Sequence, residues 1–403
     1  MNNMAQAVAL AAKVRGVSND VLARHIGRAD VARATWLALL TGRPAFFLGT
    51  PGVDKTGTVE AVASRIDGAN FFEALMPTVV SVEQLIVEST SIDESPTDGG
   101  GKSIRTRDML GRAALAHIVF ADEIWKAEPR VLQTLLDLSK GDGVRHEGAM
   151  VKTPLLAFLA SSNELPEPEG NLVALWSRMT IRVVVNPLDQ AGKLALVRAR
   201  LTRDRQAGAS AASAKLTLAE LAELRQARPN VVVPDQIVQC VLEIYQALMD
   251  EKSGGDFQWA WADDRRFGRI FDILQAHALL DGRSAVTKAD LAVLEWLLWD
   301  TPEQIAVVKG VIAPYCRTPL DDARELVDAL LAPGGTVADV RAGSRAKGVQ
   351  ALTQVEESCK ALETLKGTAG SMADDIETLL RQVAGVKQEI IAVITGAVTA
   401  PRR

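Results

Sequence analysis

The chain has 403 residues, enough for two or three domains, and its 48 % hydrophobic and 24 % charged residues are the balance of an ordinary globular protein. A formal net charge of −5 weighs against a dedicated nucleic-acid binder. Cys240, Cys316 and Cys359 stand singly and the four histidines lie far apart, which argues against a disulfide framework and a dedicated transition-metal site and for a reducing compartment.

Ala7 to Leu40 reads as helices, the second strongly apolar through Val31, Trp36, Leu37, Leu39 and Leu40. Pro44–Leu48 reads as a short buried strand. Gly49, Thr50, Pro51, Gly52, Val53, Asp54, Lys55, Thr56 and Gly57 then fill the frame of a phosphate-binding loop, except that Asp54 stands where glycine or alanine is usual. A helix through Val59, Val62 and Ile66 follows, so the strand–loop–helix context of the motif is complete. Such a loop binds ATP because backbone N–H groups converge on phosphates at a helix N-terminus. Lys55 adds a positive charge there, and Thr56 supplies a hydroxyl for Mg²⁺. Asp54 brings a carboxylate beside the polyphosphate, tolerable if it turns outward and costly if it does not.

Further near-continuous apolar runs occur at 70–75, 117–122, 155–159 and 180–185. They suit strands covered on both faces, as in a parallel α/β sheet. The run at 117–122 delivers Asp122 and Glu123 to its C-terminal tip, where Asp122 would hold Mg²⁺ and Glu123 would polarise the attacking water. Ala160-Ser-Ser-Asn163 ends another strand, and an amide at Asn163 is placed to orient that water. Beyond about Leu188 the pattern becomes helical, broken by Pro229 and Pro234 and by a loop at 253–256. The tail repeats apolar residues at Leu352, Val355, Cys359 and Leu362, then at Ile376, Leu380, Val383, Ile390 and Ile394. Two helices are expected there, the second restarted by a Ser371–Asp374 capping box, packed on the protein's own helical domain or on a partner. No signal-peptide core and no apolar run near roughly 20 residues is apparent, so a cytoplasmic chain without a membrane span is expected.

The chain resembles the MoxR branch of the AAA+ ATPases, and within it the RavA group. The resemblance rests on GRADVARATWLALLTGRPAFFLGTPG, IVFADEIWKAEPRVLQTLLDL, NELPEPEGNLVALWSRMTIRVVV and ADDRRFGRIFDILQAHALLDGRSAVTKADLAVLEWLLWD, and covers roughly residues 20–312. It implies an α/β AAA+ core with a five-stranded parallel sheet (1–190), an all-α lid (191–331) and a helical tail (332–403), with a helix-2 insert at about 78–111. It also implies a hexameric ring with ATP at each subunit boundary. Arg178 then matches the arginine finger that reaches a neighbour, and Arg265 the lid arginine that senses nucleotide, with Arg266 the lesser candidate. The family's usual partner is a von Willebrand factor A domain protein, acting on a protein client. Ser177 stands where the family often has an acidic residue, and the β-rich C-terminal module of RavA members is not evident. The insert holds a polar, glycine-rich run at 94–102, read as a flexible spacer, with Arg105, Arg107 and Arg112 beside it. The reading is therefore an ATPase that remodels a protein partner. A nucleotide-gated scaffold with little turnover and a DNA-acting motor are its rivals.

Overall fold

The computed structural model describes residues 2–96, 102–141, 143–146, 148–167, 170–205, 214–252, 264–368 and 373–396. Contacts divide the chain into Met1–Ile312 and Ala313–Arg403.

The first unit is built on a five-stranded sheet. Its strands are β1 (Ala45–Leu48), β2 (Phe71–Leu75), β3 (Ile118–Asp122), β4 (Ala157–Ser162) and β5 (Ile181–Val184). Every pairing is parallel and the order is β5-β1-β4-β3-β2. This is the α/β core expected from the apolar runs. β1 and β4 are buried along their whole length, because crossover helices cover both faces of a parallel sheet. β4 begins two residues later than its apolar run and continues through Ser161 and Ser162. Two small polar residues are held in the strand because Phe47 and Leu48 of β1 pair with them.

Helices α1 (Asn2–Leu22) and α2 (Ala29–Thr41) precede β1, and α2 buries Trp36, Leu37, Leu39 and Leu40. It stops at Gly42, which takes φ 66° and returns its N–H to the Ala38 carbonyl. Helix α3 (Lys55–Ala63) follows the glycine loop. The segment assigned to an insert carries the one-turn helix α4 (Val82–Ile86) and then an antiparallel hairpin, Val87–Pro96 with Lys102–Leu110. The ends of the 94–102 run, 94–96 and 102, are paired in this hairpin, whose Thr and Ile residues favour extended backbone. The glycines 99–101 lie outside the described residues. A second hairpin pairs Val144–His146 with Ala149–Val151. Helices α5 (Pro129–Lys140), α6 (Gly170–Trp176) and α7 (Gln190–Arg205) complete this part.

The helical module contains α8 (Leu218–Ala227), α9 (Asp235–Lys252), α10 (Asp264–Leu280), a 3-10 segment (Lys288–Trp296) and α11 (Gln304–Cys316). Reciprocal capping boxes, Thr217 with Glu220 and Thr287 with Asp290, start two of these elements. Asp290 is buried and takes hydrogen bonds from Arg283 and a 2.8 Å contact from His277 Nδ1. An aromatic cluster joins sheet and module: Phe46, Trp125, Trp176 and Trp299 form a chain with ring centroids 5.2 to 6.0 Å apart. Beside it Arg182 of β5 is fully buried.

The second unit is a helical bundle with its own core. Helices α12 (Pro319–Leu331), α13 (Thr336–Arg341), α14 (Gly348–Thr368) and α15 (Ala373–Thr395) bury Val327, Val337, Val355, Leu362, Ile376 and Ile390 together. The two apolar stripes of the tail are thus covered by each other and by α12 and α13. The division falls after Ile312 rather than near 332, because Ala323 and Val327 of α12 belong to the tail's core and Ala332-Pro-Gly-Gly335 is only a turn inside it. Ser371 of the expected capping box lies outside the described residues. No described helix is long and apolar enough to cross a membrane.

Candidate nucleotide site

The site is assembled at the C-terminal edge of the sheet from three neighbouring strands. β1 runs into the glycine loop at Gly49. Only glycine fits there, since a Cβ would stand 2.4 Å from the Val185 carbonyl oxygen. The Gly49 amide donates to the Ser162 carbonyl at 3.0 Å, which ties the loop's first residue to the end of β4. Gly52 takes φ 81°, and Val53 is buried under the loop. Thr50, Pro51 and Gly52 form the exposed rim or its edge.

Asp54 sits at the N-cap of α3 with φ 61° and ψ 36°. This is left-handed backbone, which glycine adopts freely and aspartate at modest cost. An aspartate at this position ordinarily caps its own helix, yet Asp54 makes no such bond. Its Oδ2 instead lies 2.7 Å from His25 Nδ1, on the turn between α1 and α2. Lys55 opens α3 and is buried, with Nζ donating to the Gly49 carbonyl at 2.5 Å. Burial pushes its ammonium below the ordinary lysine value, and the carboxylates of Asp122 and Glu123 oppose that shift. Thr56 and Gly57 occupy the first turn, partly buried.

β3 ends in Asp122, paired in register with Leu75 of β2. The Ser161 hydroxyl and the Glu123 amide both donate to Asp122 Oδ1, the latter at 3.1 Å. Glu123 has φ 52°, a sharp turn that takes its side chain off the strand axis. Its Oε2 receives Ser162 Oγ at 3.4 Å and Lys126 Nζ at 3.1 Å. The local charge is dense enough to reach β2. Burial, then Asp122 and then Glu60, push the Glu73 carboxyl above its ordinary value.

The structure therefore brings Gly49, Lys55, Asp122 and Glu123 together, with the serines of Ala160-Ser-Ser-Asn163 between them. Asn163 is the first residue past β4 and is exposed. Arg178 follows α6, half-buried, and donates Nη1 to the Ala174 carbonyl at 2.5 Å. Arg265 is the second residue of α10, and its side chain lies outside the described residues. Arg266 is buried and donates to the Met179 carbonyl at 3.1 Å, a packing position rather than a solvent-facing one. Ser161, Ser162, Lys126 and His25 were not singled out from sequence. The serines lay within a quoted stretch, but their partners are 39 residues away and His25 meets Asp54 across 29.

Residues 12–226, just over half of the chain, match the model of the MoxR domain found in MoxR–vWA–β-propeller ternary systems. The chain belongs to the MoxR family. Residues 236–312 match an AAA lid domain, in agreement with the helical module. Two uncharacterized proteins of Methanocaldococcus jannaschii are similar to it. MJ0079 is 28 % identical over 316 residues, covering 77 % of each chain. MJ0812 is 25 % identical over 323 residues, covering 79 % of this chain and 80 % of that one. A crystal structure of a candidate ATPase from Cytophaga hutchinsonii shares the fold at a TM-score of 0.57 and 15 % identity, covering 77 % of this chain and 95 % of that one.

In this MoxR-family chain the donor set fits Mg²⁺. A hydroxyl at Thr56 and a carboxylate at Asp122, already oriented by Ser161, are the hard oxygen ligands that Mg²⁺ takes alongside phosphate oxygens and water. The neighbouring Lys55 complements phosphate rather than metal.

Proposed function

We propose that this protein is a ring-forming AAA+ ATPase that couples Mg²⁺-dependent hydrolysis of ATP to the remodelling or maturation of a protein partner. One observation carries the reading. Loop, acidic pair and β4 terminus are joined by the Gly49-to-Ser162 and Ser161-to-Asp122 hydrogen bonds into one cluster at the sheet edge. In that cluster the amides at the start of α3 and the Lys55 ammonium bind the phosphates. Thr56 and Asp122 would hold Mg²⁺, which supplies charge neutralisation of the phosphoryl oxygens when bound. Glu123 accepts a proton from the attacking water, with Asn163 orienting it. Arg178 acts on the nucleotide of a neighbouring subunit in a hexamer, and Arg265 senses it from the lid.

The family model's ternary systems support a von Willebrand factor A domain protein and a β-propeller protein as partners. The RavA-like affinity and the cytoplasmic setting belong to the same proposal. Sedimentation with and without ATP tests the assembly. A ring that forms with ATP in the wild type and fails in Lys55→Ala supports it, whereas a monomer under both conditions sinks it.

A second reading is a nucleotide-gated scaffold with little turnover. The Lys126 ammonium on Glu123 favours it, because the ion pair occupies Oε2, an oxygen that the attacking water would have to reach. ATP-dependent assembly without phosphate release separates the two.

A further inference from the structure

Asp54 poses a specific physical problem. At the N-cap of α3 it sets a carboxylate beside the first turn, whose free amides include those of Thr56 and Gly57 that a phosphate needs. A self-capped loop would occupy one of those amides and place a negative charge where the polyphosphate must sit. No such cap is formed, although aspartate is among the strongest capping residues.

The left-handed backbone at Asp54 departs from the extended N-cap geometry in which a cap forms, and two neighbours then set where the carboxylate goes. His25 Nδ1 lies 2.7 Å from Asp54 Oδ2 and draws the carboxylate toward the α1–α2 turn. Gly57 leaves the path open. A Cβ at that position would stand 2.4 Å from Asp54 Oδ1, so any other residue would displace the carboxylate. The pair is half-exposed at Asp54, with side-chain exposures of 19 % for His25 and 46 % for Asp54. Its contribution to stability is therefore small, and its consequence is one of direction. Left-handed backbone at Asp54 fixes where the side chain starts, and His25 fixes where it ends.

We propose that His25 is a positioning residue for nucleotide binding, holding the Asp54 carboxylate off the amides of the phosphate loop along a path that Gly57 keeps clear. The inference rests on the nucleotide reading of the loop and adds to it a cause for the tolerated aspartate. The unusual letters of the motif are then coupled. His25 matters to the nucleotide only because Asp54 is present, and the missing Cβ of Gly57 makes room for the same carboxylate.

The test is titration calorimetry with ADP on the wild type, His25→Ala, Asp54→Gly and the double variant, each first checked by circular dichroism and melting. Loss of His25 is expected to weaken ADP by about tenfold or more. In the Asp54→Gly background the same change is expected to alter affinity by less than about twofold, since the group it restrains is gone. Equal affinity in wild type and His25→Ala, or an equal loss in both backgrounds, overturns the inference. Gly57→Ala supplies an independent arm should His25→Ala misfold. It is expected to weaken ADP binding more in the wild-type background than beside Asp54→Gly, and a loss of the same size in both backgrounds counts against the proposal. A wild type that binds no ADP while Asp54→Gly binds contradicts the role of His25 and leaves the nucleotide site standing. If neither binds, the nucleotide reading itself falls, and this inference with it.

Discussion

Arg182 and Asp300 form a buried ion pair, Nη1 to Oδ1 at 2.6 Å, that ties the last strand of the sheet to the end of the helical module. The guanidinium also donates to the carbonyls of Trp299, Met179 and Trp176, and its Cζ lies 3.8 Å from the centre of the Trp176 ring. Burial pulls its pKa down to about 10, and Asp300 opposes the shift. All the charge here is compensated, so removing one partner is worse than never having had the pair. Arg182→Ala is expected to cost on the order of 3–5 kcal/mol in urea unfolding. Arg182→Lys is expected to lose less, because it keeps the charge but not the planar fork. An Arg182→Ala chain that unfolds at the wild-type urea concentration would remove this pair from the account.

Ser161 is expected to tune the metal. Its hydroxyl is the side-chain donor to Asp122 Oδ1, and such a bond is worth about 1.5–3 kcal/mol when a carboxylate is the acceptor. In Ser161→Ala the Mg²⁺ concentration for half-maximal ATP turnover should rise, by about 10-fold at the lower of those energies and more at the higher. A Mg²⁺ titration that superimposes on the wild type would refute this.

Acid should loosen the helical module. Burial acts to raise the Asp290 carboxyl, but hydrogen bonds from Arg283, His277 and the Thr287 amide outweigh it and hold the group well below its ordinary value of 3.8. Asp272 behaves alike, with Arg43 and Arg228 overcoming burial. A carboxyl with a depressed folded-state pKa contributes stability that is present above its unfolded value and is lost as pH falls below it. Urea midpoints should therefore hold from neutrality down to about pH 5 and then drop. The drop should be shallower in Asp290→Asn, and an identical acid profile in that variant would argue against the assignment.

The tail has its own core, and a cavity in it should be felt there. Leu362 of α14 is fully buried among Val355, Ile376 and Val383. Leu362→Ala is expected to cost on the order of 2–5 kcal/mol. Amide exchange should accelerate in residues 313–396 while the sheet strands stay protected. Acceleration spread equally over β1 and β4 would contradict a separate core.

Much of the fold was legible because buried parallel strands write themselves as continuous apolar runs. Phe46-Phe47-Leu48 and Ile118-Val119-Phe120 need no tertiary knowledge to be read as strands. The loop and the acidic pair were legible for a different reason: their chemistry demands particular residue types at fixed spacing. What could not be read are contacts set by tertiary approach. Nothing near His25 announces that it faces Asp54, and nothing in the run Thr180–Val185 shows that Arg182 is buried rather than exposed. The insert hairpin was missed because its strands are polar and flank a glycine run. The tail boundary was misplaced because Pro333, Gly334 and Gly335 punctuate a turn inside a bundle as readily as a linker between domains.

The most direct measurement is steady-state phosphate release with Mg-ATP by the wild type beside Glu123→Gln. The account predicts turnover in the wild type that falls by about two orders of magnitude or more when the carboxylate becomes an amide, because the water then has no base. Release from the wild type no faster than from Glu123→Gln would contradict it.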